Sequence, residues 1–223
     1  ALTVEEGNLM IEKAKATGAQ VQVGQVIRFW DEYVKLKEIL ESKAYGSVVN
    51  ANFRRISPRP TWGWEDWLID FERSGGANQD LHIHDIDYVQ SILGMPDKIS
   101  CYHHGLKNNN DFAVTEMVYG DAIVSCEGTW FNAGIPFHAT YLAVFENGYV
   151  SLNGGKVIKN GEEINLNDAN TAKSTGINLP DSGGHQYEIA YFVDCVANGK
   201  MTEIVTPDDA HDTIELIERL LDN

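Results

Sequence analysis

The chain has 223 residues, 43% hydrophobic and 22% charged, which is enough to bury one substantial core, or a core with a small appendage. Its formal net charge of −16 argues against a nucleic-acid or anionic-membrane partner, since either would want a basic patch. No apolar run approaches the length of a bilayer span and no basic-then-apolar leader precedes Ala1, so a soluble, non-exported protein is expected. Cys101, Cys126 and Cys195 are odd in number and widely spaced, as expected of reduced structural thiols in a cytoplasm rather than a disulfide frame or a zinc site.

In chain order, Thr3-Val4-Glu5-Glu6 is a capping box for a helix that ends at Gly18. Val21 to Gly24 reads as a short buried strand. Arg28 precedes a second helix, about Asp31 to Ala44, with Tyr33, Leu36, Ile39 and Leu40 on one side. Ser47 to Ser57 alternates as a strand, apolar at Val49, Ala51 and Phe53 and polar at Asn50, Asn52 and Arg54. The Pro- and Gly-rich stretch from Pro58 to Trp67 is a loop carrying three Trp. These indoles suit either a hydrophobic plug or a stacking wall for a sugar ring.

Gly75 to Gly94 predicts a helix, stopped by Gly94-Met95-Pro96, with apolar residues at Ile86, Val89, Ile92 and Leu93. At roughly 100° per residue, Asp80, His84, Asp87 and Ser91 form a polar stripe opposite them. A carboxylate one turn from an imidazole is the arrangement a proton-transfer site needs, because it fixes the ring tautomer and raises its basicity. Polar stripes are also ordinary solvated faces, so spacing alone does not decide.

From Lys98 to Val157 the pattern predicts a meander: Ile99–Leu106, Phe112–Tyr119, Ala122–Phe131, Phe137–Glu146 and Tyr149–Leu152. His103, His104 and His138 are expected as exposed sheet residues. The polar stretch from Asn153 to Gly184 looks like a long excursion or flap, with a small hairpin at Asn160-Gly161. Two helices close the chain. His185 to Ala197 carries Ile189, Phe192, Val193 and Val196 on one face, and the last helix has Thr206 as N-cap and buries Ala210, Ile214, Ile217 and Leu221.

The string Gly75-Gly76, Asp80, His84, Ile86-Asp87 and Leu93-Gly94 resembles the active-site helix of the Gfo/Idh/MocA oxidoreductases, NAD(P)-dependent enzymes of sugars and polyols. Arg28-Phe29 with Tyr33, Tyr45-Gly46, Tyr187-Glu188-Ile189 with Phe192, Asn198-Gly199-Lys200 and Thr206-Pro207-Asp208-Asp209-Ala210 follow in family-like order. The resemblance covers nearly the whole chain. It implies that His84 takes a hydroxyl proton as hydride leaves the same carbon for the nicotinamide, and that Asp80 orients His84 or binds an adjacent hydroxyl. Arg28, Trp62, Trp64, His185 and Tyr187 are pocket candidates, each with a purely structural alternative such as a salt bridge, a plug or packing.

In the family a Rossmann domain comes first, with its catalytic Lys in a Glu-Lys-Pro motif just before a segment like Ala1 to Glu6. Neither that motif nor a Gly-x-Gly-x-x-Gly occurs in this sequence. The expected organisation is therefore residues 1–24 as a remnant of the dinucleotide-binding domain and residues 25–223 as a substrate-binding and oligomerisation domain. The expected fold is α+β, a large mostly antiparallel sheet with helices on one face, whose open face the resemblance assigns to a homodimer or homotetramer. NAD or NADP is the implied cofactor, mostly outside this chain, and no metal is expected.

Two other classes stay open at this point. Asp80-x-His82-x-His84 also looks like the metal-gripping strand of phosphoesterases and amidohydrolases. On a strand the two His share a face, whereas on a helix they diverge by roughly 160° and cannot share a metal. A non-catalytic oligomerisation domain is the third class.

Overall fold

In a computed structural model describing residues 1–107, 110–166 and 183–221, the strands are β1 (Val48–Pro58), β2 (Lys98–Lys107), β3 (Asn110–Tyr119), β4 (Ala122–Phe131), β5 (His138–Phe145), β6 (Gly148–Asn153), β7 (Lys156–Lys159) and β8 (Glu162–Glu163). They form one sheet in the order β2-β3-β4-β1-β5-β6-β7-β8. All neighbours pair antiparallel except β1 and β4, which run parallel at the centre. The α+β reading with a mostly antiparallel sheet is thus what the chain adopts. The hairpin expected at Asn160-Gly161 joins β7 to β8.

The helices are α1 (Val4–Thr17), α2 (Asp31–Ser42), the four-residue α3 (Phe71–Ser74), α4 (Ile83–Leu93), α5 (Gly184–Ala197) and α6 (Pro207–Leu221). Strand alternation sends Ala51 and Phe53 of β1, Met117 of β3, Val124 and Cys126 of β4 and Tyr141 and Ala143 of β5 to one face. There they meet Tyr33 and Leu36 of α2, Ile86, Tyr88 and Val89 of α4, and Leu216 and Ile217 of α6. Tyr33 packs edge-on to Tyr88 and Tyr141, with ring centroids 4.8 and 5.5 Å apart. The other face carries polar pairs: Arg54 Nε donates to Glu127 Oε2 at 2.7 Å, and Ser125 Oγ to Asn52 Oδ1 at 2.7 Å.

Thr3 caps α1 by accepting the Glu6 N–H, and Thr206 with Asp209 forms a reciprocal capping box on α6. No helix among the described residues is long and apolar enough to cross a membrane.

Several expectations are corrected. Val21 to Gly24 is not a strand: a strand needs a paired neighbour, and this segment lies instead beside the α5–α6 connection, where Thr202 Oγ1 donates to the Val21 carbonyl. The α5 face with Ile189, Val193 and Val196 is exposed. α5 docks through the side carrying Gly184, Glu188 and Cys195, and at its first turn a Cβ on Gly184 would lie 2.9 Å from the Val26 carbonyl and collide with Trp30. Residues 167–182 of the expected flap, two residues of the Asn108-Asn109-Asn110 turn and the Leu221 side chain lie outside the description.

Candidate active site

The predicted helix over 75–94 is not one regular helix. α3 ends at Gly75, a π-helical turn spans Asn78–His82, and only then does α4 begin. Such a turn inserts a residue into the helical ladder and re-aims the side chains that follow, and it recurs at functional sites. Its cause is tertiary. His82 is fully buried against β4, where a Cβ on Gly128 would sit 2.7 Å from His82 Cα, so glycine alone lets the backbones approach so closely. The ring anchors there, with His82 Nε2 2.8 Å from Thr115 Oγ1, and burial pushes its pKa down to about 3.

His84 lies on the other side of the helix and borders a cavity of about 1020 Å³ together with Asp80, Gln25, Gly24, Ile83 and Trp67. His82 and His84 therefore face apart and do not form a joint metal grip. Among the described residues, only His211, Asp212 and Glu215 of α6 bring three potential metal-ligand atoms close together.

Gln25, which the sequence pattern does not single out, is the residue that orients the His84 ring. His84 Nδ1 is 3.0 Å from Gln25 Oε1, and an amide oxygen only accepts, so Nδ1–H donates and Nε2 keeps a lone pair. Burial, assisted by the charges of Arg55 and His185, lowers the His84 pKa to about 3. The ring is thus neutral at physiological pH. This corrects the expectation that the neighbouring carboxylate of Asp80 raises the basicity of His84. Asp80 lines the same cavity half-buried, and desolvation raises its pKa.

Two buried ion pairs clamp α4 to the elements around it. Asp85 is fully buried and receives Arg55 Nε at 3.0 Å and Nη2 at 2.9 Å, while Nη2 also donates to Tyr33 OH at 2.9 Å. Burial opposes the Arg55 charge, and the Asp85 carboxylate more than offsets it, holding the guanidinium charged. The indole of Trp30 lies 5.5 Å from the guanidinium carbon. Two residues on, and so on another side of the helix, Asp87 takes Arg28 through two 2.7 Å bonds and also accepts Thr213 Oγ1 at 3.1 Å.

Arg28 is consequently committed to Asp87 and, at 3.6 Å, to Asp209, and does not line the cavity. Trp62 and Trp64 are 72% and 74% exposed and also stand outside the lining; of the three indoles, Trp67 reaches it. His185, exposed on the first turn of α5, is close enough to influence His84, whereas Tyr187 is half-buried and outside the lining. His103 is not a plain exposed strand residue: its Nε2 lies 3.0 Å from buried Asp111.

The fold and site together define a mostly antiparallel sheet backed by helices on one face, with a neutral, oriented histidine at a cavity beside it. The chain belongs to the GFO/IDH/MocA family: the model described as GFO/IDH/MocA C-terminal domain matches residues 33–151, more than half of it. It is similar to scyllo-inositol 2-dehydrogenase (NAD(+)) of Bacillus subtilis, at 26% identity across 96% of this chain and 63% of that protein. Oxidoreductase P35 of Formosa agariphila is 28% identical over 59% of this chain and 43% of its own. Among solved structures, levoglucosan dehydrogenase in complex with NADH and levoglucosan superimposes with a TM-score of 0.76 at 18% identity, over 100% of this chain and 68% of that one. An oxidoreductase from Thermotoga maritima gives 0.76 at 21% identity, over 98% and 64%. The chain thus spans less than two thirds of the length of these curated relatives.

Proposed function

We propose that this chain is the substrate-binding and oligomerisation part of a cytoplasmic NAD(P)-dependent dehydrogenase acting on a sugar, polyol or similar hydroxylated compound. Residues 1–24 belong in this reading to the dinucleotide-binding part and residues 25–223 to the substrate domain. The observation that carries it is His84, a neutral imidazole at a cavity with Nδ1 engaged and Nε2 free. Such a nitrogen accepts a proton from a substrate hydroxyl as the carbon beneath it is oxidised.

The cavity fits this use. Its volume exceeds what one sugar ring fills, and Val21, Val23 and Ile83 supply an apolar part of its wall. A bound nicotinamide supplies the hydride acceptor. This chain's own residues do the rest: His84 takes the hydroxyl proton on Nε2, Gln25 holds the ring, and Asp80 accepts hydrogen bonds from a neighbouring hydroxyl.

The names of the relatives support the substrate class, since one is an inositol dehydrogenase and another holds NADH with levoglucosan. The open sheet face, with its Arg54–Glu127 pair, is the surface we assign to a homodimer or homotetramer. The test is a screen of the longer protein carrying this chain against inositols, aldoses and amino or keto sugars with both nicotinamides. Reduction of NAD or NADP by at least one hydroxylated substrate is expected; no turnover with any of them, from protein that binds a dinucleotide, would overturn the reading.

A further inference from the structure

We infer that Asp111 is a positioning residue for the site helix, an inference that rests on the reading of His84 as the base. Asp111 belongs to β3, far from the site in sequence, and its side chain is fully buried. Its Oδ2 accepts the Ala77 backbone N–H at 2.7 Å, at the point where the chain leaves the Gly75-Gly76 corner and enters the turn that carries Asp80 and leads into α4 with His84. The corner is built around that carboxylate. Gly76 has φ +66°, and a Cβ there would collide with Asp111 Oδ2.

The rest of the corner is held locally, by Gly76 N–H donating to Ser74 Oγ at 2.9 Å and Ser74 Oγ donating to the Leu68 carbonyl at 2.7 Å. Asp111 therefore ties the start of the site helix to the sheet. A carboxylate on the first free amide of a helix also matches the positive end of its dipole. The second oxygen, Oδ1, is 3.0 Å from His103 Nε2, whose ring stacks on Phe71 of α3 with centroids 5.9 Å apart. One buried carboxylate thus holds both segments that flank the corner.

The test is steady-state kinetics of the longer protein, with His84→Ala measured in parallel. Asp111→Ala leaves the Ala77 N–H without its acceptor, and a site helix displaced by about 1 Å is expected to cost roughly 10–100-fold in kcat with the dinucleotide KM unchanged. Asp111→Asn keeps an oxygen for Ala77 and is expected to return kcat to within about threefold of wild type. Wild-type kcat in Asp111→Ala alongside an impaired His84→Ala overturns this inference alone. So does an Asp111→Asn as impaired as Asp111→Ala. An unimpaired His84→Ala overturns the underlying site reading and this inference with it. If Asp111→Ala is recovered unfolded, Gly76→Ala carries the test: the same fall in kcat supports the tie, and wild-type kcat overturns it.

Discussion

His84 Nδ1 lies 3.0 Å from Gln25 Oε1, and this single contact decides which nitrogen of the ring is free to act. Because the amide oxygen accepts and cannot donate, the proton is on Nδ1 and the lone pair is on Nε2. A neutral partner on Nδ1 leaves the low pKa of about 3 uncompensated, so the ring stays unprotonated, with its Nε2 lone pair open, across the physiological range.

Replacing that neutral partner by a charged one tests the arrangement. In Gln25→Glu the carboxylate favours the imidazolium, so the His84 pKa rises from about 3, and the acid limb of the kcat/KM profile moves to higher pH. A pH profile identical to wild type would show that the Nδ1 partner does not tune the base.

Arg55 and Asp85 predict a stability effect. Both are buried, and removing one partner strands the other charge, which typically costs about 3–5 kcal/mol. Arg55→Met is therefore expected to lose that much in denaturant unfolding, while Arg55→Met combined with Asp85→Leu recovers most of it. A loss below about 1 kcal/mol in the single variant would mean that the pair is not the clamp described.

Gly128 predicts an effect on both stability and activity. Gly128→Ala drives a methyl into the His82 backbone, so the π-helical turn must shift, at about 1–3 kcal/mol for overpacking. His84 is two residues further on, so kcat of the longer protein is expected to fall with stability. Unfolding and turnover measured on the same preparation check this; unchanged values for both would show that the contact is slack.

The strands of the sheet were legible because inward apolar residues at Ala51, Phe53, Met117, Val124, Tyr141 and Ala143 recur with period two, and turn residues separate them. The same alternation points Arg55 inward after Phe53, yet sequence pattern does not reveal that Asp85 waits there, 30 residues away. The position of His84 was readable from its spacing to Asp80, but its partner Gln25 was not, because that contact is made only when the 3₁₀ segment Val26–Phe29 folds beside α4. The π-helical turn left no local signal either, being set by the gap at Gly128. Val21 to Gly24 has the composition of a strand, but pairing is a property of neighbours, and the neighbours it finds are helices and a loop.

The most direct test of the account is His84→Ala in the longer protein, assayed for nicotinamide reduction with the best substrate from the screen. Loss of a positioned base predicts a fall in kcat of about 10²–10⁴-fold, with dinucleotide affinity nearly unchanged. Wild-type turnover in a folded His84→Ala variant would contradict the assignment of His84 as the group that takes the proton.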